Sequence, residues 1–216
     1  MKTIKYTLLL TVVALLSHCS SSYLQNSLNI SKTKKHYKKI LVVGNTSNKI
    51  ARNTFESNVV KHFTEQGVIA KASIDDPLTK TLPGQITEEE AKAIKNLLIE
   101  AGYDGIVISN LVNKEQYLHV EEGNNFNYYN YPYHYRRFES YYGYYDPYYW
   151  GKQDEIKTGT RFSFESNFYN LTHHNEENLV WVGRFKITDP ADLDRTSDKY
   201  AKDLVIVLLQ ESIQIN

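Results

Sequence analysis

The chain has 216 residues, 25 basic and 25 acidic side chains, 41% hydrophobic residues, 18 tyrosines and one cysteine. That length holds one domain with a full core, and the balanced charge excludes the basic footprint of a general nucleic-acid binder. A lone cysteine excludes a disulfide framework and a thiolate-built zinc site.

The first element is a targeting signal. Lys2 and Lys5 precede an apolar run from Tyr6 to Leu16. Such a run is too short to span a bilayer as a helix and suits a secretory signal. Leu16, Ser17 and Cys19 resemble the lipobox of bacterial lipoproteins, although His18 stands where a small residue is usual. The resemblance implies a signal peptide over 1–18, a diacylglycerol on the Cys19 thiol, and a lipid-anchored protein of the cell envelope, at the outer membrane and facing the periplasm. The other reading is an ordinary signal cut near Ser20 to Ser22. Removing 1–18 takes away two lysines and no acids, so the remainder is slightly acidic. Residues 19–38 read as a polar tether ending in Lys32, Lys34, Lys35, Lys38 and Lys39. That cluster could rest on anionic headgroups or simply flank the first strand in solvent.

The domain is expected over 39–214. "KILVVGN" (39–45) is an apolar run that reads as a buried central strand. A helix follows, with Ser47 as cap, Ile50, Phe55, Val59 and Phe63 on its buried face, and Gly67 as its stop. "VIAKASI" (68–74) is a second strand. Thr87 and Glu90 form a capping box for a second helix whose stripe is Ile94, Leu97, Leu98 and Ala101, ending at Gly102. "DGIVISNLVNKEQYLHV" (104–120) is a long third strand. After an insert at about 121–155, period-two alternation places Phe162, Phe164, Ser166 and Phe168 on one face of a strand. It places Leu179, Trp181, Gly183, Phe185 and Ile187 on one face of the next. A last helix starts near Thr196 or Ser197 and buries Tyr200, Leu204, Val205, Leu208 and Leu209. The order β-α-β-α-β-(insert)-β-β-α predicts an α/β (α+β) fold, a single mixed sheet with helices packed on it.

This layout resembles a family of small, uncharacterised lipoproteins of the Gram-negative envelope. The residues that carry the likeness are "LVVG" (41–44), Arg52, Phe55 and Glu56, Ser73, Pro83, Gly102, Asp104, and the hairpin "FYN…NLVWVGRF". The domain is similar to the amino-terminal domain of TolB and to the curli-secretion lipoprotein CsgG. The resemblance implies an envelope fold that works by contact with other envelope components.

Candidate chemistry is sparse. "GNTSNK" (44–49) lies at the first strand-to-helix turn, where open α/β sheets bind ligands, but it carries neither nucleotide-binding glycine pattern. His173, His174, Glu176 and Glu177 include metal-ligand types, but adjacent hairpin histidines point to opposite sides, so a polar turn is the better reading. Asp75 and Asp76 before Pro77 read as a turn rather than a calcium site. Arg52 before Glu56 is the weaker orientation for a surface pair, and the resemblance, to which both residues belong, implies that they anchor a loop instead. Ser109, Ser163 and Ser166 lack a nucleophile-elbow context, so no enzyme, metal or cofactor is expected.

The richest segment is "NYYNYPYHYRRFESYYGYYDPYYW" (127–150), which holds eleven of the tyrosines. Tyr129, Tyr131, Tyr133 and Tyr135 would share one side of an extended chain. Tyr141, Tyr142, Tyr144, Tyr145, Tyr148 and Tyr149, with Trp150, are broken by Gly143 and by Asp146–Pro147 into what reads as turns. Tyrosine joins a large apolar face to a hydroxyl, which suits adaptable binding loops. The expectation is a non-catalytic accessory or assembly role, with these residues binding an envelope protein or a second copy. A glycan-binding surface, a spacer, and an enzyme using the first crevice are the alternatives.

Overall fold

A computed structural model describes residues 22–79, 87–121, 155–172 and 178–215. Its strands are β1 (Leu24–Asn29), β2 (Ile40–Asn45), β3 (Ala70–Ala72), β4 (Gly105–Glu121), β5 (Glu155–Asn170) and β6 (Leu179–Thr188). Its α-helices are α1 (Lys49–Glu65), α2 (Glu88–Glu100) and α3 (Leu193–Glu211). The strands form a six-stranded sheet in the order β1-β6-β5-β4-β2-β3. β2 pairs in parallel with both β3 and β4, and β1 pairs antiparallel with β6, so the sheet is mixed as expected.

Alternation along the strands feeds two cores. Ile40, Val42, Val107, Phe168, Trp181, Phe185 and Ile187 join the buried faces of α1 and α3 on one side. Leu41 and Val43 meet Leu98 of α2, Tyr103 and Leu171 on the other. β2 is therefore buried on both faces, which is why its sequence is continuously apolar. The ends of α1 and α2 are set by Gly67 and Gly102 at φ +76° and +83°, a conformation a side chain resists.

Several expected boundaries move. Asn48, not Ser47, caps α1, its Oδ1 accepting from the Ile50 and Ala51 amides at 3.1 Å each. α3 begins at Leu193, because Asp192 accepts from the Arg195 amide at 2.9 Å and starts the helix a turn before Thr196. β3 stops at Ala72, and Ser73–Asp75 is a 3₁₀ turn, for a reason given below. The capping box of Thr87 and Glu90 is present. Ile50, Leu97 and Ala101 are exposed although they fall on expected apolar stripes.

The largest difference lies in the stretch read as tether. Its residues 24–29 are edge strand β1, and Tyr37 is buried in the core. The sequence LQNSLN has little apolar periodicity because side-chain bonds hold much of it. Ser27 Oγ donates to Glu211 Oε1 at 2.8 Å, and Asn29 donates to the Glu211 carbonyl. The Tyr23 amide donates to Asp203 Oδ2 at 2.7 Å. Two of the clustered lysines are also committed to the fold. Lys34 Nζ donates to the Leu209 carbonyl at 2.9 Å and Lys39 Nζ to the Ala101 carbonyl at 3.2 Å, at or near helix C-termini that favour cations.

The chain divides into two units, Met1–Asn113 with Phe162–Asn216, and Lys114–Arg161. In the second unit the Arg161 guanidinium pairs with Glu115 at 2.9 Å and stacks 4.2 Å from the centre of the Tyr117 ring. Leu118 and Ile156 are each 72% exposed there, and Val120 is 57% exposed. The Tyr-rich residues 127–150, and Cys19 at the other end, lie outside the described residues.

Candidate functional site

The turn after β2 opens a cleft of about 320 Å³. Gly44, Asn45, Thr46 and Asn48 form one wall, with Ala51 and Phe55 of α1. Ser109 and Leu111 of β4, Phe162 and Phe164 of β5, and Ile187 of β6 contribute from the sheet. Leu193, Thr196, Ser197 and Tyr200 of α3 complete it. This is the crevice expected from "GNTSNK", at the carboxyl end of β2, beside the part of β4 that pairs with it in parallel. Among the described residues its lining is mostly apolar and includes no charged side chain.

A chain of hydroxyls sits in its wall. Ser109 Oγ lies 2.6 Å from Ser166 Oγ, which lies 2.7 Å from the Tyr200 hydroxyl. All three residues are buried. Burial pushes the Tyr200 phenol up to about 12, and its hydroxyl partners only partly offset this. The phenol is therefore neutral at physiological pH. Among the described residues, the lining holds no histidine or carboxylate beside Ser109. The Ile50 and Ala51 amides in the first turn of α1 are already bonded to Asn48. The alternation in sequence already places Ser166 on one face with Phe162, Phe164 and Phe168, but no local pattern links it to Ser109 and Tyr200.

Beside the cleft, Arg52 and Glu56 form a buried ion pair at 2.9 Å rather than a surface one. Glu56 Oε1 also accepts from the Gly44 amide at 2.8 Å and from Ser73 Oγ at 2.6 Å, and Oε2 accepts from the Ile74 amide at 2.8 Å. Arg52 donates to Ser73 Oγ at 2.6 Å and to the Thr79 carbonyl at 3.2 Å. These bonds hold the Ile74 amide off the ladder, which explains why β3 ends early. Arg52, Glu56 and Ser73, three of the residues behind the family resemblance, thus fasten the 73–79 loop to the end of β2. Asp104 does similar work at the other end, accepting from the Lys38 and Lys39 amides at 2.8 and 3.0 Å. Pro83 lies outside the described residues.

Asp76 is engaged as a turn residue. It accepts from the Leu78 amide at 2.9 Å and from the Tyr103 hydroxyl at 2.7 Å, and pairs with Lys71 at 3.2 Å. Burial alone would raise its carboxyl, but these partners outweigh it and hold the carboxyl below the usual range. No group of three metal-ligand side chains occurs among the described residues, and residues 173–177 lie outside them.

No protein-family model matches the chain, and no curated protein sequence matches it. Among solved structures, the PelC dodecamer of Paraburkholderia phytofirmans is similar at 8% identity and a TM-score of 0.43, covering 83% of this chain and 94% of that one. A single-residue variant of that dodecamer in another space group is similar at 10% identity and a TM-score of 0.41, with the same coverage.

Proposed function

We propose that this chain is a lipid-anchored protein of the cell envelope, held to the outer membrane through Cys19, with a non-catalytic accessory or assembly role. It binds another envelope protein through the Tyr-rich segment and the strand ends that lead to it. The observation that carries this reading is the exposure of Leu118, Val120 and Ile156 on the two strands that the segment joins. Three large apolar side chains left to solvent, on strands that flank in sequence a segment with eleven tyrosines, favour association by their burial. The resemblance to envelope lipoproteins supports the location.

The test compares two baits, the full chain and the same chain lacking 124–152, in pull-downs from detergent-solubilised envelope. One protein captured only by the intact chain identifies the partner. Retention on peptidoglycan or another glycan, with no protein captured, replaces the reading with glycan binding. Equal captures by both baits reject a role for the segment.

A further inference from the structure

We propose that the outward stripe of α3, made by Arg195, Lys199, Lys202 and Ile206, lies on the anionic headgroups of the membrane that holds Cys19. The inference rests on the anchor reading above and does not involve the Tyr-rich segment.

Reach comes first. Residues 19–38 as a free tether would span up to about 70 Å. The fold ends that freedom at Ser22. Ser22 Oγ and the Tyr23 amide both donate to Asp203 Oδ2, at 3.1 and 2.7 Å, in the middle of α3. The Tyr23 carbonyl accepts from the Lys186 amide at 2.9 Å, and Lys199 Nζ stands 4.7 Å from the centre of the Tyr23 ring. Three residue steps separate Cys19 from Ser22, and they cover at most about 11 Å. That reach is comparable to the screening length of roughly 10 Å at ordinary salt. A lipid on Cys19 therefore brings the side chains nearest Ser22 into the range over which headgroup charge acts.

Charge comes next. Arg195, Lys199, Lys202 and Ile206 recur at steps of four, three and four, so they share one stripe of the helix. It lies opposite the buried face of Ser197, Ala201, Leu204 and Leu208. Arg195 and Lys202 are exposed, and Ile206 is 42% exposed. The acids that border the stripe are engaged on either side of it. Asp198 pairs with Lys61 at 3.2 Å and His62 at 3.0 Å, and Asp203 receives Ser22 and Tyr23. The stripe thus offers three cations and one apolar side chain, which complements an anionic lipid surface. Each cation near such a surface strengthens binding about fivefold. The lysines of 32–39 form the competing basic surface. They lie beyond β1, a strand about 20 Å long, and Lys34 and Lys39 are bonded to the Leu209 and Ala101 carbonyls.

The test uses residues 19–216, the mature chain under the anchor reading, which keep every described residue. Cys19, the single thiol, is coupled to a maleimide phospholipid in vesicles of phosphatidylcholine, alone or mixed with phosphatidylglycerol. Lysines are then acetylated and read by mass spectrometry. Lys199 and Lys202 should react about 5-fold or more slowly on the anionic vesicles than on the neutral ones. Lys92, 71% exposed on α2 across the sheet, should react alike on both. The contrast should fade as added salt shortens the screening length, and Arg195→Gln should reduce it. Equal rates for Lys199 and Lys202 on the two vesicles, equal slowing of Lys92, or protection confined to Lys32, Lys34, Lys35 and Lys38 would each overturn the assignment. The anchor reading is checked apart, by the mass of the chain isolated from the envelope. A Cys19 without diacylglycerol rejects that reading, while the acetylation pattern, obtained with a supplied lipid, still decides the surface.

Discussion

At the scale of single residues, Glu56 is the most deeply buried charged side chain among the described residues. Glu56 is fully buried, and its carboxylate receives Arg52, Ser73 and the Gly44 and Ile74 amides. Glu56→Ala leaves the Arg52 guanidinium without its counter-charge in the interior. The expected loss is about 3–5 kcal/mol, read from denaturant midpoints, whereas Arg52→Met combined with Glu56→Leu should recover much of it. A second residue-scale effect depends on pH. Asp76 has its carboxyl held below the ordinary carboxylate value, so it adds stability that is present above about pH 4 and lost as pH falls through the depressed value. Tyr103→Phe removes one of the bonds responsible. It should cost about 1.5–3 kcal/mol at pH 7, and the gap from the unmutated chain should narrow on acidification toward pH 3.

At the scale of elements, the sequence was most legible where burial alone decides structure. β2 and the inward faces of β5 and β6 follow from apolar runs and alternation, and the capping box places α2. It was least legible where polar bonds over long separations decide. β1 has no pattern to read, since Ser27 and Asn29 are held by Glu211, more than 180 residues later. β3 is cut short by Glu56, which no local signal in "VIAKASI" reveals. The crevice was visible as a strand-to-helix turn, but its hydroxyl chain joins Ser109, Ser166 and Tyr200 from three elements. Glu211 offers a test of how β1 is held. Its carboxylate accepts from Ser27 Oγ at 2.8 Å and from the Trp181 indole at 2.6 Å. Glu211→Ala should raise amide exchange in residues 24–29 by about 10-fold or more relative to β2, whose amides should change less. Equal acceleration in β1 and β2 would mean that Glu211 supports the whole domain rather than the edge strand.

At the scale of the whole molecule, the two hydrophobic cores are assembled from residues of the first unit. Removing 124–152 and joining the ends with a short turn should leave the thermal midpoint within a few degrees, measured by circular dichroism. Chain length between two ordered ends changes the closure entropy only slowly. Collapse of the fold on deletion would instead make the Tyr-rich segment part of the core. The pairing of β1 with β6 also sets an order of events. Leu24 meets Phe185, Lys35 bridges Ile213, and the Gln214 amide donates to the Lys35 carbonyl. The first described strand therefore has no strand partner until β6 has been made, and these contacts are among the most non-local of the described residues. Folding cannot be completed from the amino terminus onward during synthesis. An edge that stays open until β6 has been made leaves the newly made chain unclosed for most of its synthesis.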